Sequence, residues 1–280
     1  MNRVIRPMSA NELPMVLDWA AAGGWNPGLS DADPFGVIDP EGLLLCLIDD
    51  QPAAAIAAVR YNEAFGVLGL HFVAPGQAGQ GHDLAILQAG LVHLGTRTIG
   101  IDAAMSLEES YASSGFVRAY RHQRYGGKPK RLDAEKLPTE ELGHILLSEL
   151  AEFDRQHFPA DRPIFMDIWR IGKKCTGRAI RRNGKLAGIG VIRACRSGDR
   201  LGPIFADDEA IARALVRDLI KRHRVKGEIF LDVPEPNRTA GDLVREMGLV
   251  PVFETVRMYR GQVPNLPLER IFAVTSIELG

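Results

Sequence analysis

Residues 78–83 read Ala-Gly-Gln-Gly-His-Asp, between an apolar run and an amphipathic one. The backbone N–H groups of Gly79, Gln80, Gly81 and His82 fall at the positive end of a predicted helix, where they have no partner inside the helix. Glycines let a phosphate approach such groups closely, so the chemistry on offer is the holding of a pyrophosphate. A tight strand-to-helix connection would use the same residues, and the turn alone does not choose between the two. Just upstream, His71 is the only titratable side chain in Phe65–Val73. An imidazole ionises near neutrality, which suits a general base taking a proton from an alkylammonium. A histidine satisfied by neighbours on a sheet face is the other reading.

The elements that must position these groups are a buried strand over Val67–Val73, a turn over Pro75–Gly81 and a helix over Asp83–His93 stopped by Gly95. Leu84, Leu87, Leu91 and Leu94 recur at helical spacing and form one apolar stripe. In the strand, Val67, Gly69, His71 and Val73 share one face and Leu68, Leu70 and Phe72 the other, by the two-residue period. Before it come a short strand (residues 2–7), a capping box of Ser9 and Glu12, a helix over 10–22 and a loop holding Trp25, Asn26 and Asp31. A hairpin of strands over 42–48 and 53–61 follows. After the helix come a strand over Thr98–Ala103, a short helix carrying Tyr111, and a strand over 118–125.

The order strand, V-x-P, glycine turn, helix, strand, helix with Tyr111-Ala-Ser-Ser-Gly115-Phe116, strand resembles the GNAT superfamily of acetyl-coenzyme A-dependent N-acetyltransferases over residues 1–127. The family's phosphate motif [RQ]-x-x-G-x-[GA] falls on residues 78–83, where Ala78 and Asp83 depart from it and Gly81 keeps it. The resemblance implies an α/β (α+β) fold, a mixed and mostly antiparallel sheet flanked by helices. It also implies acetyl-CoA as co-substrate, direct attack by a small-molecule or amino-acid-like amine, and no metal. The pyrophosphate would rest on Gly79, Gln80, Gly81, His82 and Asp83, and the pantetheine arm on Phe72 and Val73. The Val73 N–H would bond the thioester oxygen. Tyr111, four residues before Gly115, would be the general acid and His71 the base. A phenol with an ordinary pKa of about 10 can donate to a thiolate. Trp25, Asn26 and Asp31 would lie on the acceptor side; Asn-Pro-Gly bend chemistry and a core-covering tryptophan are the other reading, and taken singly each residue fits that one better. Asp83 stabilises the free helix end and opposes a bound pyrophosphate.

Residues 128–138 read as a linker and residues 139–280 as a divergent repeat of the first half. A helix is predicted over 139–157, opened by Thr139. Asn183-Gly184 marks a hairpin, and strands and helices alternate from Leu201 to Tyr259. Thr98–Ala103 aligns with Glu228–Val233, and the strand ending Arg124-Tyr125 with that ending Arg257-Met258-Tyr259. The copy has Val244 at the Tyr111 position and three acids where phosphate would sit. This half resembles the degenerate second domain of a tandem-GNAT, YitH-like subfamily, and it is expected to cover the first domain's cleft. The tail, residues 272–280, is expected to pack back on the body. An inactive tandem scaffold that binds CoA or another metabolite is the alternative to the enzyme.

A net charge of -1 gives no electrostatic reason to expect nucleic acid or a membrane surface. The basic residues Arg213, Arg217, Lys221 and Arg224 share one helix face and read as solvated. Three cysteines without C-x-x-C spacing read as free thiols rather than disulfide partners or metal ligands, which points to a reducing compartment. With no apolar leader and no run of membrane-spanning length, the expectation is a cytoplasmic protein. The oligomeric state is not fixed by the sequence, and a homodimer is compatible with the resemblance.

Overall fold

The computed structural model describes residues 2–280. The first half runs β1 (Arg3–Pro7), α1 (Leu13–Ala22), α2 (Ala32–Ile38), β2 (Leu43–Ile48), β3 (Gln51–Arg60), β4 (Phe65–Val73), α3 (His82–Leu94), β5 (Thr98–Ala104), α4 (Glu108–Ser113) and β6 (Val117–Gly127). The second runs β7 (Glu140–Glu141), α5 (Leu147–Arg155), α6 (Pro163–Ile171), β8 (Cys175–Arg182), β9 (Lys185–Ala194), β10 (Asp199–Ala206), α7 (Glu209–His223), β11 (Ile229–Pro234), α8 (Arg238–Glu246), β12 (Val250–Arg260) and β13 (Ile271–Ala273). The expected mixed α/β architecture is present, as one continuous sheet in the order β1-β2-β3-β4-β5-β12-β6-β11-β10-β9-β8-β7, with β13 on β10. Among the described residues, only β4/β5 and β10/β11 pair in parallel.

The halves exchange their last strands. β12 lies between β5 and β6, and β6 lies between β12 and β11. Two buried ion pairs cross the exchange. Arg257 faces Asp102 (2.7 Å) and Arg124 faces Asp232 (2.7 Å), joining the residues that the repeat places in register. On one face, α1 and α2 share a core with α5 and α6, where Phe35 stacks on Phe165 and Trp169. On the other face α3 covers the first half and α7 the second.

Four expectations need correction. The segment 139–157 is not one helix: Thr139 Oγ1 donates to Asp218 (2.7 Å), Glu140–Glu141 pair with β8, and the helix starts at Leu147. The helix α6, opened by Pro163 at its first position, was not anticipated. The first helix begins at Leu13 and not at Ala10, although Glu12 does turn its carboxylate back to the Ser9 N–H (2.7 Å), as the capping box requires, and also to Arg6. Finally, β4 does not keep one parity. Leu70 adopts φ +46° at a register shift between Ala55 and Ala57, a bulge. Leu68 therefore packs under α3 while Leu70 packs on the α1 side, and Val67 and His71 lie on opposite faces.

Candidate functional site

β4 and β5 pair only over Phe65–Leu68 and Thr98–Ile101. Beyond the bulge the strands separate, and a cleft of about 220 Å³ opens between them. Trp25, His71, Phe72, Val73, Asp83 and Tyr111 are among the residues that line it. The Ala74 N–H donates to Ala53 O (2.9 Å). By the two-residue period, the Val73 N–H then points away from β3, into the gap that β5 has left.

His71 and Tyr111 meet in this cleft. His71 Nδ1 and the Tyr111 hydroxyl are 2.5 Å apart, and His71 Nε2 is 3.1 Å from the Asp83 carbonyl oxygen. A carbonyl only accepts, so Nε2 carries the proton and Nδ1 accepts from the Tyr111 O–H. Burial pushes the His71 pKa below its ordinary value, keeping the ring neutral. Burial, with the Asp83 charge, pushes the Tyr111 phenol above its own. The pair is thus a neutral donor–acceptor couple, with one phenolic oxygen facing the cleft.

The glycine turn follows from β4. Gly76, Gly79 and Gly81 have φ of +82°, +77° and +74°, and a Cβ at any of them would meet nothing within 4 Å. Backbone conformation, not close packing, calls for glycine there. No side chain caps α3, so the first N–H groups of the helix are not taken by a capping side chain. The turn suits a diphosphate on these grounds. The expected contributors do not all present side chains: Gln80 bonds Gln77, and the His82 ring is buried beside Arg3. What these residues offer a ligand is backbone. Asp83 is exposed, with no cationic partner among the described residues.

Of the three residues expected on the acceptor side, only Trp25 reaches the cleft. Its ring packs edge-on against Phe72 and Phe253, at 5.7 Å in each case. Asn26 lies just outside, with its amide bonded to the backbone of Ser197. Asp31 is buried away from the cleft, where it accepts from the Gly28 N–H (2.7 Å) and pairs with Arg193 (2.9 Å). Its carboxylate is fully occupied by structure.

Sequence reasoning missed the group that holds Trp25 in place. Arg124 Nη1 donates to the Trp25 carbonyl (2.6 Å) while its other nitrogens hold Asp232, which also binds Arg200. Burial alone would raise the Asp232 pKa, and the Arg124 and Arg200 guanidiniums overcome it and hold the carboxylate far below its ordinary range. The alignment of Asp102 with Asp232 was the available signal. Among the described residues, no group of three or more His, Cys, Asp or Glu is placed to hold a metal.

Residues 150–273 match the family model described as an acetyltransferase (GNAT) domain. Over 276 residues the chain is 29% identical to the holothin acyltransferase of Pseudoalteromonas sp. (strain SANK 73390), covering 98% of this chain and 94% of that one. The fold is similar to that of a candidate acetyltransferase from Pyrococcus horikoshii, with TM-score 0.85, 20% identity and coverage of 99% and 96% of the two chains. It is also similar to a tandem GNAT protein from the clavulanic acid biosynthesis pathway, with TM-score 0.63, 14% identity and coverage of 94% and 100%.

Proposed function

We propose that the chain is a GNAT acyltransferase, a reading supported by the family model matched over residues 150–273 and by the likeness to the holothin acyltransferase, and that it moves an acetyl group from acetyl-CoA to the amine of a small molecule by direct attack, in the cleft between β4 and β5. Bound acetyl-CoA would supply an activated acetyl thioester and a thiolate leaving group. The glycine turn, residues 79–82, is suited to the diphosphate, and Phe72 and Val73 to the pantetheine arm. The Val73 N–H, unpaired with β3, is aimed to stabilise negative charge on the carbonyl oxygen.

The observation that carries the reading is the Tyr111–His71 couple. As the amine nitrogen bonds to carbon, its surplus proton passes to Tyr111 Oη while the phenolic proton moves to His71 Nδ1. As the carbon–sulfur bond breaks, Tyr111 gives a proton to sulfur and recovers its own from His71. One couple then serves as base and acid in turn. No covalent acyl-enzyme is required. Asp83 is the feature that opposes the donor's phosphates, and its exposure lets the carboxylate turn to water.

Two features support the setting. The three cysteines are free, and among the described residues no helix is long and apolar enough to cross a membrane. We propose a cytoplasmic setting, since unpaired thiols suit a reducing compartment. The test is calorimetric titration of acetyl-CoA together with CoA release in the presence of amines. Wild type is expected to bind with a micromolar Kd, roughly -8 kcal/mol. Tyr111→Phe should keep that binding and lose about 100- to 10,000-fold in kcat. Binding without turnover of any amine would favour a CoA-binding scaffold, and no binding would remove the donor site altogether.

A further inference from the structure

A second cavity, of about 490 Å³, lies against the loop that carries Trp25, and its use as an acceptor pocket rests on the acetyltransferase reading of the donor cleft. Gly24 and Asn26, which flank Trp25, line this cavity, and both halves of the chain build it. β12 starts beyond the end of β5, since Thr255 faces Ala104. Val252 and Phe253 consequently stand past β5, where β4 and β5 have already parted. Phe230 on β11 adds a second aromatic wall. The Asn26 amide bonds the Ser197 carbonyl (2.8 Å) and N–H (3.1 Å), tying the loop after α1 to the β9–β10 hairpin at the rim.

The charges around this cavity are already paired with one another. Arg124 and Arg196 line it and no carboxylate does. The nearby acids are already committed, Asp232 to Arg124 and Arg200 and Asp18 to Arg196. Asp83, the acid of the neighbouring cleft, lies on the side assigned to the donor's phosphates. An alkylammonium entering here would leave water without gaining an anionic partner, at a cost that a neutral amine does not bear. A flat apolar ring would gain aromatic and guanidinium contacts.

We propose that the acceptor is an aromatic or heteroaromatic amine, uncharged at physiological pH, whose ring system lies between Phe230, Val252 and Phe253 and whose nitrogen passes Trp25 into the donor cleft. Such a nitrogen attacks without first losing a proton, so the His71–Tyr111 couple handles only the proton released as the amide forms.

The test uses the full chain without acetyl-CoA. Naphthylamine and naphthylmethylamine share a ring system, but at neutral pH the first is neutral and the second cationic. Calorimetry should find naphthylamine bound at least about tenfold tighter. Val252→Arg, an exposed position, should abolish that binding, and Arg196→Glu should narrow the discrimination. Equal or tighter binding of the cation, binding of neither, or binding indifferent to Val252→Arg would overturn the proposal. Because no donor is present, absent acetyl transfer would strike the catalytic reading alone.

Discussion

β4 and β5 run in parallel for four residues before separating, and β10 and β11 do so for three. Both separations follow a Leu-Gly step, Leu68-Gly69 and Leu201-Gly202, with a register shift against the neighbouring strand. The tail lies on both glycines: a Cβ would fall 1.6 Å from the Glu278 oxygen at Gly69, and 2.2 Å from the Val274 oxygen at Gly202. Beyond the glycines the two diverge. The first gap is left to a cleft, with His71 and Phe72 on its strand. The second carries Ile204 and Phe205 and is closed by β13, while the Val274 N–H donates to Asp232 O (3.0 Å). The helices follow suit, since α3 is uncapped whereas Asp208 accepts from the Ile211 N–H (3.0 Å) at the start of α7. One supersecondary frame thus becomes a ligand site or a structural joint according to whether the chain satisfies the gap and the helix end by itself.

The reciprocal ion pairs offer the largest way to break this comparison. Asp232→Ala would leave Arg124 and Arg200 buried without their shared partner, and Asp102→Ala would strip Arg257. Each should cost about 3–5 kcal/mol in urea denaturation. Only the first also loosens the Arg124 hold on the Trp25 carbonyl. Asp232→Ala should therefore raise KM for the amine, whereas Asp102→Ala should leave KM near wild type at temperatures where both are folded. Equal changes in KM would mean that the Arg124 contact does not position Trp25.

Two histidines sharpen the contrast. Phe72, in the open gap, meets Trp25, whereas Phe205, in the closed one, stacks on His157 at 4.7 Å. His157 Nδ1 donates to Phe153 O (2.9 Å) and its Nε2 has no partner. Burial pushes its pKa down to about 4. The folded pKa lies below the unfolded value of about 6.5, so the unfolded chain binds more protons in that window. The stability contribution is complete above about pH 6.5 and is lost as pH falls towards 4, up to about 3 kcal/mol. Wild type should therefore lose stability relative to His157→Phe on acidification through that range, read as the change in the difference between their urea midpoints. A pH-independent difference between them would refute the assignment. For His71, the same direction of shift implies activity flat above neutrality and falling only on acidification.

Much of this frame was legible in the residues. The glycine turn, Tyr111 and the Asn183-Gly184 hairpin are local patterns, and local patterns survive in a single sequence. The bulge at Leu70 was not legible, because strand parity assumes an unbroken ladder and no glycine or proline occupies the position itself. Exchange of β6 and β12 was invisible for another reason, since a strand reads alike whichever neighbour it pairs with. Asp31 looked like an acceptor-side acid because its partner, Arg193, is supplied by the other half of the chain. The tail alternates as a strand from Ile271 to Ile277, yet it is strand only to Ala273. Beyond that point Ser276 and Glu278 leave the alternation to satisfy each other and Arg200.

The smallest effects should come from the helix ends, and they separate stability from binding. Asp208→Ala removes a cap whose usual worth is about 1 kcal/mol, at a helix with no ligand role. Its expected consequence is a lower denaturation midpoint with unchanged acetyl-CoA affinity. Gly81→Ala introduces no clash, because the added Cβ would meet nothing within 4 Å, but it strains a left-handed residue by about 1–2 kcal/mol. Relief of that strain re-aims the N–H groups of residues 79–82, which are the groups offered to the diphosphate. The two substitutions should then look alike in urea and differ in calorimetry, where only Gly81→Ala weakens acetyl-CoA binding, by about tenfold or more. If Asp208→Ala weakened the donor as much as Gly81→Ala did, the joint and the site would not be distinct, and the α3 end would lose its special claim on phosphate.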